Sequence, residues 1–363
     1  MVMRPGRLAG LVGALALTAA GGTLVAPGVA GAAPAPGTAQ VVGDALYFYA
    51  GSGGANLLMI SPLSENRFYV QDSIRFTLGS GSAGCTQTDG WSVTCLPAIT
   101  RVIVDLGDGN DEFHSYSDRV YSSVKGGYGS DQLWGWLGPE ALLGGPDDDE
   151  LYGLSGVDRL WGDEGNDLIE GHDGLDYLWG GTGNDTMNGG ADSDVMYGEA
   201  GTDWLSGGAG PDDLDGGPGA GSVRGDDGND VFRHPYGQAA LATSDYWGGA
   251  GTDRIAYLGM PTGVAVSLNN RADDIPLVAV ATGHNVHDDI ETVDGSDHDD
   301  SIVGSDGPNT LRGLGGNDVL SGLGGDDLLD VQSGNNQQAY GGAGTDTCTG
   351  NNLFVRDLCE LPA

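Results

Sequence analysis

Lysine is nearly missing from this chain. Lys125 is the only one in 363 residues, and 14 Lys plus Arg stand against 52 Asp plus Glu, for a formal charge of −38. That balance excludes a phosphate-gripping surface as the main business of the protein, because nucleic-acid binders carry basic footprints. Enzyme signatures are missing too. There is no H-E-x-x-H, no G-x-S-x-G and no G-x-x-x-x-G-K-[ST], so zinc-protease, serine-hydrolase and P-loop chemistry have no footing. Past the N-terminus no run of about 18 apolar residues occurs, which argues against a membrane-spanning helix there. Cysteine is scarce: Cys85, Cys95, Cys348 and Cys359. No C-x₂-C pair exists to suggest zinc. Of the three pairings that four cysteines allow, the two local ones, Cys85–Cys95 and Cys348–Cys359, are expected.

What the chain has in excess is glycine, 68 residues, against a usual share of roughly 7%. It is ordered by a period of nine. Residues 126–233 divide into twelve units without a slip, from GGYGSDQLW (Gly126–Trp134) to GDDGNDVFR (Gly225–Arg233). Position one is Gly in all twelve. Position eight is apolar in all twelve, from Leu133 and Leu142 to Val223 and Phe232. Position six is Asp in ten, with Glu140 and Gly221 as the departures, and position four is Gly in ten. A fixed period held in four columns predicts a repeat architecture. The acidity alone would suit a disordered chain, but disorder has no reason to keep an apolar residue at every ninth position.

The physics of one unit follows from its columns. The Gly-rich half turns, since Gly takes positive φ freely. The last three residues extend, with position eight inward and seven and nine outward. Two units make a coil of eighteen residues, and coils stack at strand spacing, roughly 4.8 Å. Asp149 then lies over Asp131, and Asp176 over Asp158. Stacked carboxylates repel unless a cation lies between them, and hard oxygens at a flexible turn suit Ca²⁺, with turn carbonyls completing the shell.

These columns resemble the RTX (repeats-in-toxin) nonapeptide family, G-G-x-G-x-D-x-U-x; GGTGNDTMN (Gly180–Asn188) and GGAGTDRIA (Gly248–Ala256) match every fixed position. The resemblance implies an all-β fold, a calcium-binding parallel β-roll solenoid. It also implies several Ca²⁺ ions held by Asp131, Asp149, Asp167, Asp185 and Asp203 on one edge and by Asp158, Asp176, Asp194, Asp212 and Asp230 on the other. Outside the array it adds Asp111, Asp253, Asp300, Asp318 and Asp327. Sites built on Glu140 or Gly221 are expected to be weak or absent. The outline is similar to secreted actinobacterial calcium-binding proteins, and departs from RTX proteins exported by a C-terminal signal.

The remaining segments frame the array. Residues 1–32 read as a signal peptide: Arg4 and Arg7, the apolar run Leu8–Ala20, and a small-residue site at Ala30-Gly31-Ala32. Cleavage after Ala32 leaves a net charge of −40, two arginines fewer than the −38 of the whole chain, and an extracellular protein. Residues 33–40 read as a flexible leader. Residues 33–105 are expected to form a small antiparallel β cap of about five strands, stapled by Cys85–Cys95; a recognition domain is the other reading. The main roll covers 106–256, with His234–Trp247 as an insertion. Residues 257–294 form a strand-and-loop connector, 295–347 a second roll of about two coils, and 348–363 a disulfide-closed cap. The fold is thus a solenoid in two segments with an N-terminal cap.

The outward positions suggest where a partner would touch. Leu143, Trp161, Trp179 and Tyr197 align on one sheet, with Tyr177 beside them; the other sheet carries a more scattered Trp134, Tyr152, Leu168 and Trp204. Contiguous exposed apolar surface marks contacts, so Trp161, Trp179, Tyr197 and Tyr177 are candidate contacts for a cell-surface glycan or protein. Burial of that stripe is the competing reading. His284, His287 and His298 form a weak transition-metal pattern. The functional expectation is a secreted, non-catalytic calcium-binding protein with a structural or adhesive role and calcium-dependent folding. The alternative is a secreted carbohydrate-active or other hydrolytic enzyme built on the solenoid face.

Overall fold

The structure, a computed structural model, describes residues 37–50, 55–64, 67–72, 76–79, 82, 84–96, 98–118, 120–219, 221–233, 244–268, 275–276, 285–351, 353–355 and 359–360. The expected signal peptide 1–32, residues 234–243 of the expected insertion, and His284 lie outside them. The chain divides into two compact units, residues 1–182 and 183–363. Among the described residues every regular element is a strand, and no helix is long and apolar enough to cross a membrane.

The first unit is a parallel solenoid with two inward columns. On one sheet Phe48, Val104, Val124, Leu142, Leu160 and Leu178 lie in register. On the other, Leu58, Phe113, Leu133, Leu151 and Ile169 do the same. All are essentially fully buried, so removing them from water, at roughly 25 cal/mol per Å², is the main force stacking the coils. The strands run longer than three residues. Leu168–Asp173, for example, spans positions seven to nine of one unit and one to three of the next, with alternating burial. Position one therefore also faces inward.

Its glycines are there for space rather than for φ. A Cβ on Gly198 would lie 2.8 Å from Asp203 Oδ2 and 2.7 Å from the Gly216 carbonyl, closer than real Cβ contacts. Positions two and four carry the positive φ, as at Gly127 (116°) and Gly129 (113°). Position two accepts that conformation without glycine, at Leu154, His172 and Glu199.

The N-terminal region is only partly a cap. Antiparallel strands are present: Thr38–Val42 pairs with Ala45–Tyr49, and Leu57–Ser64, Arg67–Asp72, Ser92–Cys95 and Cys85–Gln87 pair in series. However, Ala45–Tyr49 and Leu57–Ser64 also pair in parallel with Arg101–Asp108 and Glu112–Ser115, forming a first coil. Thr38–Gln40, expected in a flexible leader, is strand. Cys85 and Cys95 are bonded.

In the second unit one sheet is unbroken. Met196, Leu214, Phe232, Ile255, Val293, Leu311, Leu329 and Cys348 form a single inward column. The other sheet is where the two segments separate. Met187, Leu205, Val223, Tyr246 and Val286 form one column, and Val266, Ile302, Leu320 and Ala339 another. Two stretches expected outside the coils lie within them. Asp245–Gly251 is a coil strand with Tyr246 buried, and Val264–Ser267 and Thr292–Asp294 both belong to parallel ladders. Cys348, at an inward position, is bonded to Cys359.

Candidate metal centre

The turns set the sixth position of each unit in a repeated arrangement. The backbone N–H of one position-six residue donates to the carboxylate of the next coil's. On one edge of the first unit, Asp111 donates to Asp131, Asp131 to Asp149 and Asp149 to Asp167, at 2.7, 2.7 and 2.8 Å. On its other edge Glu140 donates to Asp158 and Asp158 to Asp176, both at 2.7 Å. In the second unit Asp185 reaches Asp203; Asp194, Asp212, Asp230 and Asp253 form a continuous series; and Asp300 reaches Asp318. All fifteen predicted metal residues thus stand in the rungs, with Asp327 held by Asn309 N–H at 2.8 Å. A second clamp, at position five, runs the opposite way along the stack: Asp148 accepts from Asn166 N–H, and Asp299 from Asn317 N–H, each at 2.7 Å.

The position-six carboxylates are buried, and one oxygen is used along the stack; Asp300 engages both, accepting Val264 N–H on Oδ1 and Ser296 N–H on Oδ2. The second oxygen has no hydrogen-bond partner on Asp111, Asp131, Asp149, Asp158, Asp203, Asp212, Asp230, Asp253, Asp318 and Asp327. Except on Asp111, whose unit has Leu106 at position one, it lies in the hollow that glycine leaves there. Burying an ionised group without compensation is costly, and the carboxyls respond. Burial pushes Asp131 up to about 7, Asp149 to about 8, and Asp203, Asp212 and Asp318 each to about 7. Such a column has two ways to settle: take up protons or take up a cation. Oxygen donors of carboxylate and carbonyl type fit a hard divalent cation. Among the described residues no three His, Cys, Asp or Glu side chains cluster as a metal site, so backbone carbonyls are needed in the shell.

The RTX calcium-binding nonapeptide repeat family matches residues 143–178, 170–205, 179–214, 197–232, 294–329 and 303–337. The chain carries RTX repeats. That family binds calcium at multiple sites. No curated protein matches the chain. The RTX ladder extends beyond the matched spans, to Asp131 and Asp111 on one side and to Asp346 on the other.

The two departures from the RTX pattern behave differently. Glu140 is fully buried and its backbone N–H keeps the ladder bond to Asp158, while its carboxylate accepts Trp136 N–H in its own turn; burial and the neighbouring Asp158 push its carboxyl well up. Gly221 ends its ladder, and a Cβ there would collide with the Asp203 carbonyl. Four ladder members escaped the sequence reading. Glu291 accepts Asp253 N–H at 2.7 Å, Asp346 accepts Asp327 N–H at 3.0 Å, Gln337 accepts Asp318 N–H at 2.8 Å, and Asn56 donates to Asp111 at 2.6 Å. Counting back nine-residue positions from Gly295 finds Glu291 at position six. Asp346 is position six of its own unit. Asn56 and Gln337 carry no repeat signature.

The outward aromatics of the RTX coils depart from expectation. Trp161 and Trp179 do stack, with ring centroids 4.8 Å apart. Trp161 is only 6% exposed, packed with Ala141, Leu143 and Tyr121, so it offers little surface to a partner. Tyr177 and Trp179, and in the second unit Tyr197, are half-buried. On the other sheet two of the four expected residues, Trp134 and Tyr152, stack on one another. His114, Trp134, Tyr152 and His172 stack in series at 4.4, 5.3 and 6.4 Å. His114 belongs to the same position-nine column as Trp134 and Tyr152, and His172 joins the end of the series from position two. Glu112, Glu150 and Glu170 line this stack through bonds to His114, Tyr152 and His172. His287 stacks on Trp247, which gives it a structural partner; His298 donates its backbone N–H to Ser296 Oγ.

Proposed function

We propose that this is an extracellular, non-catalytic calcium-binding β-roll whose folding is coupled to calcium, and that it serves as a structural or adhesive element. The observation that carries the reading is the ladder of buried carboxylates, each with one oxygen bonded along the stack. Asp111, Asp131, Asp149, Asp158, Asp167, Asp176, Asp185, Asp194, Asp203, Asp212, Asp230, Asp253, Asp300, Asp318 and Asp327 are the proposed ligands. Calcium, when bound, supplies the positive charge that these columns lack. The chain's own part is to present the oxygens, to exclude water from them through the adjoining apolar columns, and to hold register through the position-six and position-five clamps.

Three features support export: the N-terminal pattern of residues 1–32, the two disulfides, and the usual occurrence of disulfides in oxidising compartments. Extracellular calcium modules bind at about 10⁻⁴–10⁻³ M, so a chain of this charge would stay unfolded inside the cell and fold outside. The non-catalytic reading is supported by the carboxylates themselves, whose abundance the ladders account for. Half-buried aromatics beside Trp179 and Trp134 are the proposed contact surface for a glycan or protein at the cell surface. Far-UV circular dichroism of the chelated protein during calcium titration tests the coupling. Strand signal should appear with calcium, and an identical spectrum in chelator and in calcium would sink the proposal.

A further inference from the structure

Two ladders end on an amide instead of a carboxylate. Gln337 occupies position six of its coil and is fully buried. Its Oε1 accepts Asp318 N–H at 2.8 Å, as a ladder carboxylate does. Its Nε2 donates to the Gly316 carbonyl at 2.8 Å. Asn56, 2% exposed, begins the ladder of the first unit. Its backbone N–H and Nδ2 both donate to Asp111 Oδ1, at 2.6 and 2.9 Å, and Nδ2 also reaches the Leu106 carbonyl at 3.1 Å. The orientation of both amides is fixed by chemistry: only the NH₂ end can face oxygens, and only the oxygen can face an N–H.

In the carboxylate rungs the second oxygen is another acceptor, set among turn carbonyls. A cation is what reconciles them. In these two rungs an NH₂ group stands on the oxygens instead, and its hydrogens supply the positive end. We propose that Asn56 and Gln337 close their ladders without metal, each amide taking the place of a calcium ion. This rests on the ladder carboxylates being calcium ligands. The placement has a physical logic. With an amide at position six, the rung offers calcium one oxygen fewer and presents N–H hydrogens in its place. A covalently attached donor is not lost on dilution, and it seals the end of the metal array.

The test is calcium content of the full chain, wild type against Asn56→Asp and Gln337→Glu, after dialysis in saturating calcium. Each variant should gain about one calcium per chain, because the new carboxylate restores the standard rung. Unchanged content in folded variants would overturn the proposal. A wild type with no calcium would instead remove the ladder reading beneath it. Crystals of the wild type grown in calcium give a result that no variant's folding can obscure. Gly316 O should be met by Gln337 Nε2, whereas an ion at about 2.3–2.6 Å from that oxygen would contradict the proposal.

Discussion

The two edges of the second unit share their coils but not their chemistry. Along one, Asp194, Asp212, Asp230, Asp253 and Glu291 follow without a gap. Along the other, Asp185 reaches Asp203 and the carboxylates stop at Gly221. Yet the apolar column beside the broken edge continues through Val223 to Tyr246 and Val286, all buried. Coil stacking and the carboxylate ladder are therefore separable. The first needs an apolar residue at position eight and glycine-compatible turns. The second needs a carboxylate at position six, which in the regular units is given room by glycine at position one.

The largest expected effect comes from acidity in the absence of calcium. The ladder carboxyls have folded-state values raised from the usual carboxylate range, to about 7 for Asp131 and Asp212 and about 8 for Asp149. A raised folded value means that the native state holds protons the unfolded chain has released. Stability from these groups is therefore complete below about pH 4 and is lost as pH rises through 7 to 8. The chelated protein should hold its strands in acid and unfold toward pH 8, followed by circular dichroism. Calcium should abolish most of that dependence. The unbroken edge, with more such groups, should dominate it.

A smaller effect probes the broken edge. Gly221→Asp restores the repeat's usual residue, yet a side chain there meets the Asp203 carbonyl. The substitution should destabilise by about 1–3 kcal/mol, as overpacking does, and add no calcium. A gain in both, by denaturant melts and metal analysis, would show that the edge was broken by sequence alone.

Much of this was legible in the sequence, for reasons tied to particular residues. The inward columns from Leu133 to Phe232 and the Asp columns could be read because nothing shifts their register. Both disulfides followed from loop length and compartment. What stayed hidden needed contacts between distant segments. Phe48 stacks on Val104 across 56 residues with no repeat signature between them. The coil at Tyr246 and the rung at Glu291 lie beyond insertions that reset the count. The role of glycine at position one is a matter of space, visible only once Asp203 Oδ2 is set against Gly198. The aromatic stack from His114 to His172 ends on a position-two residue, whereas the outward reading of the sequence followed positions seven and nine.

The central claim is that the buried carboxylates hold calcium and that each rung counts. It is tested most directly by the calcium content of the purified full chain, wild type against Asp212→Asn, in the middle of the unbroken edge. The account predicts several ions in the wild type and at least one fewer in the variant, with the inward column at Leu214 intact by near-native circular dichroism in saturating calcium. A wild type without calcium, or a variant with an unchanged count, would contradict it.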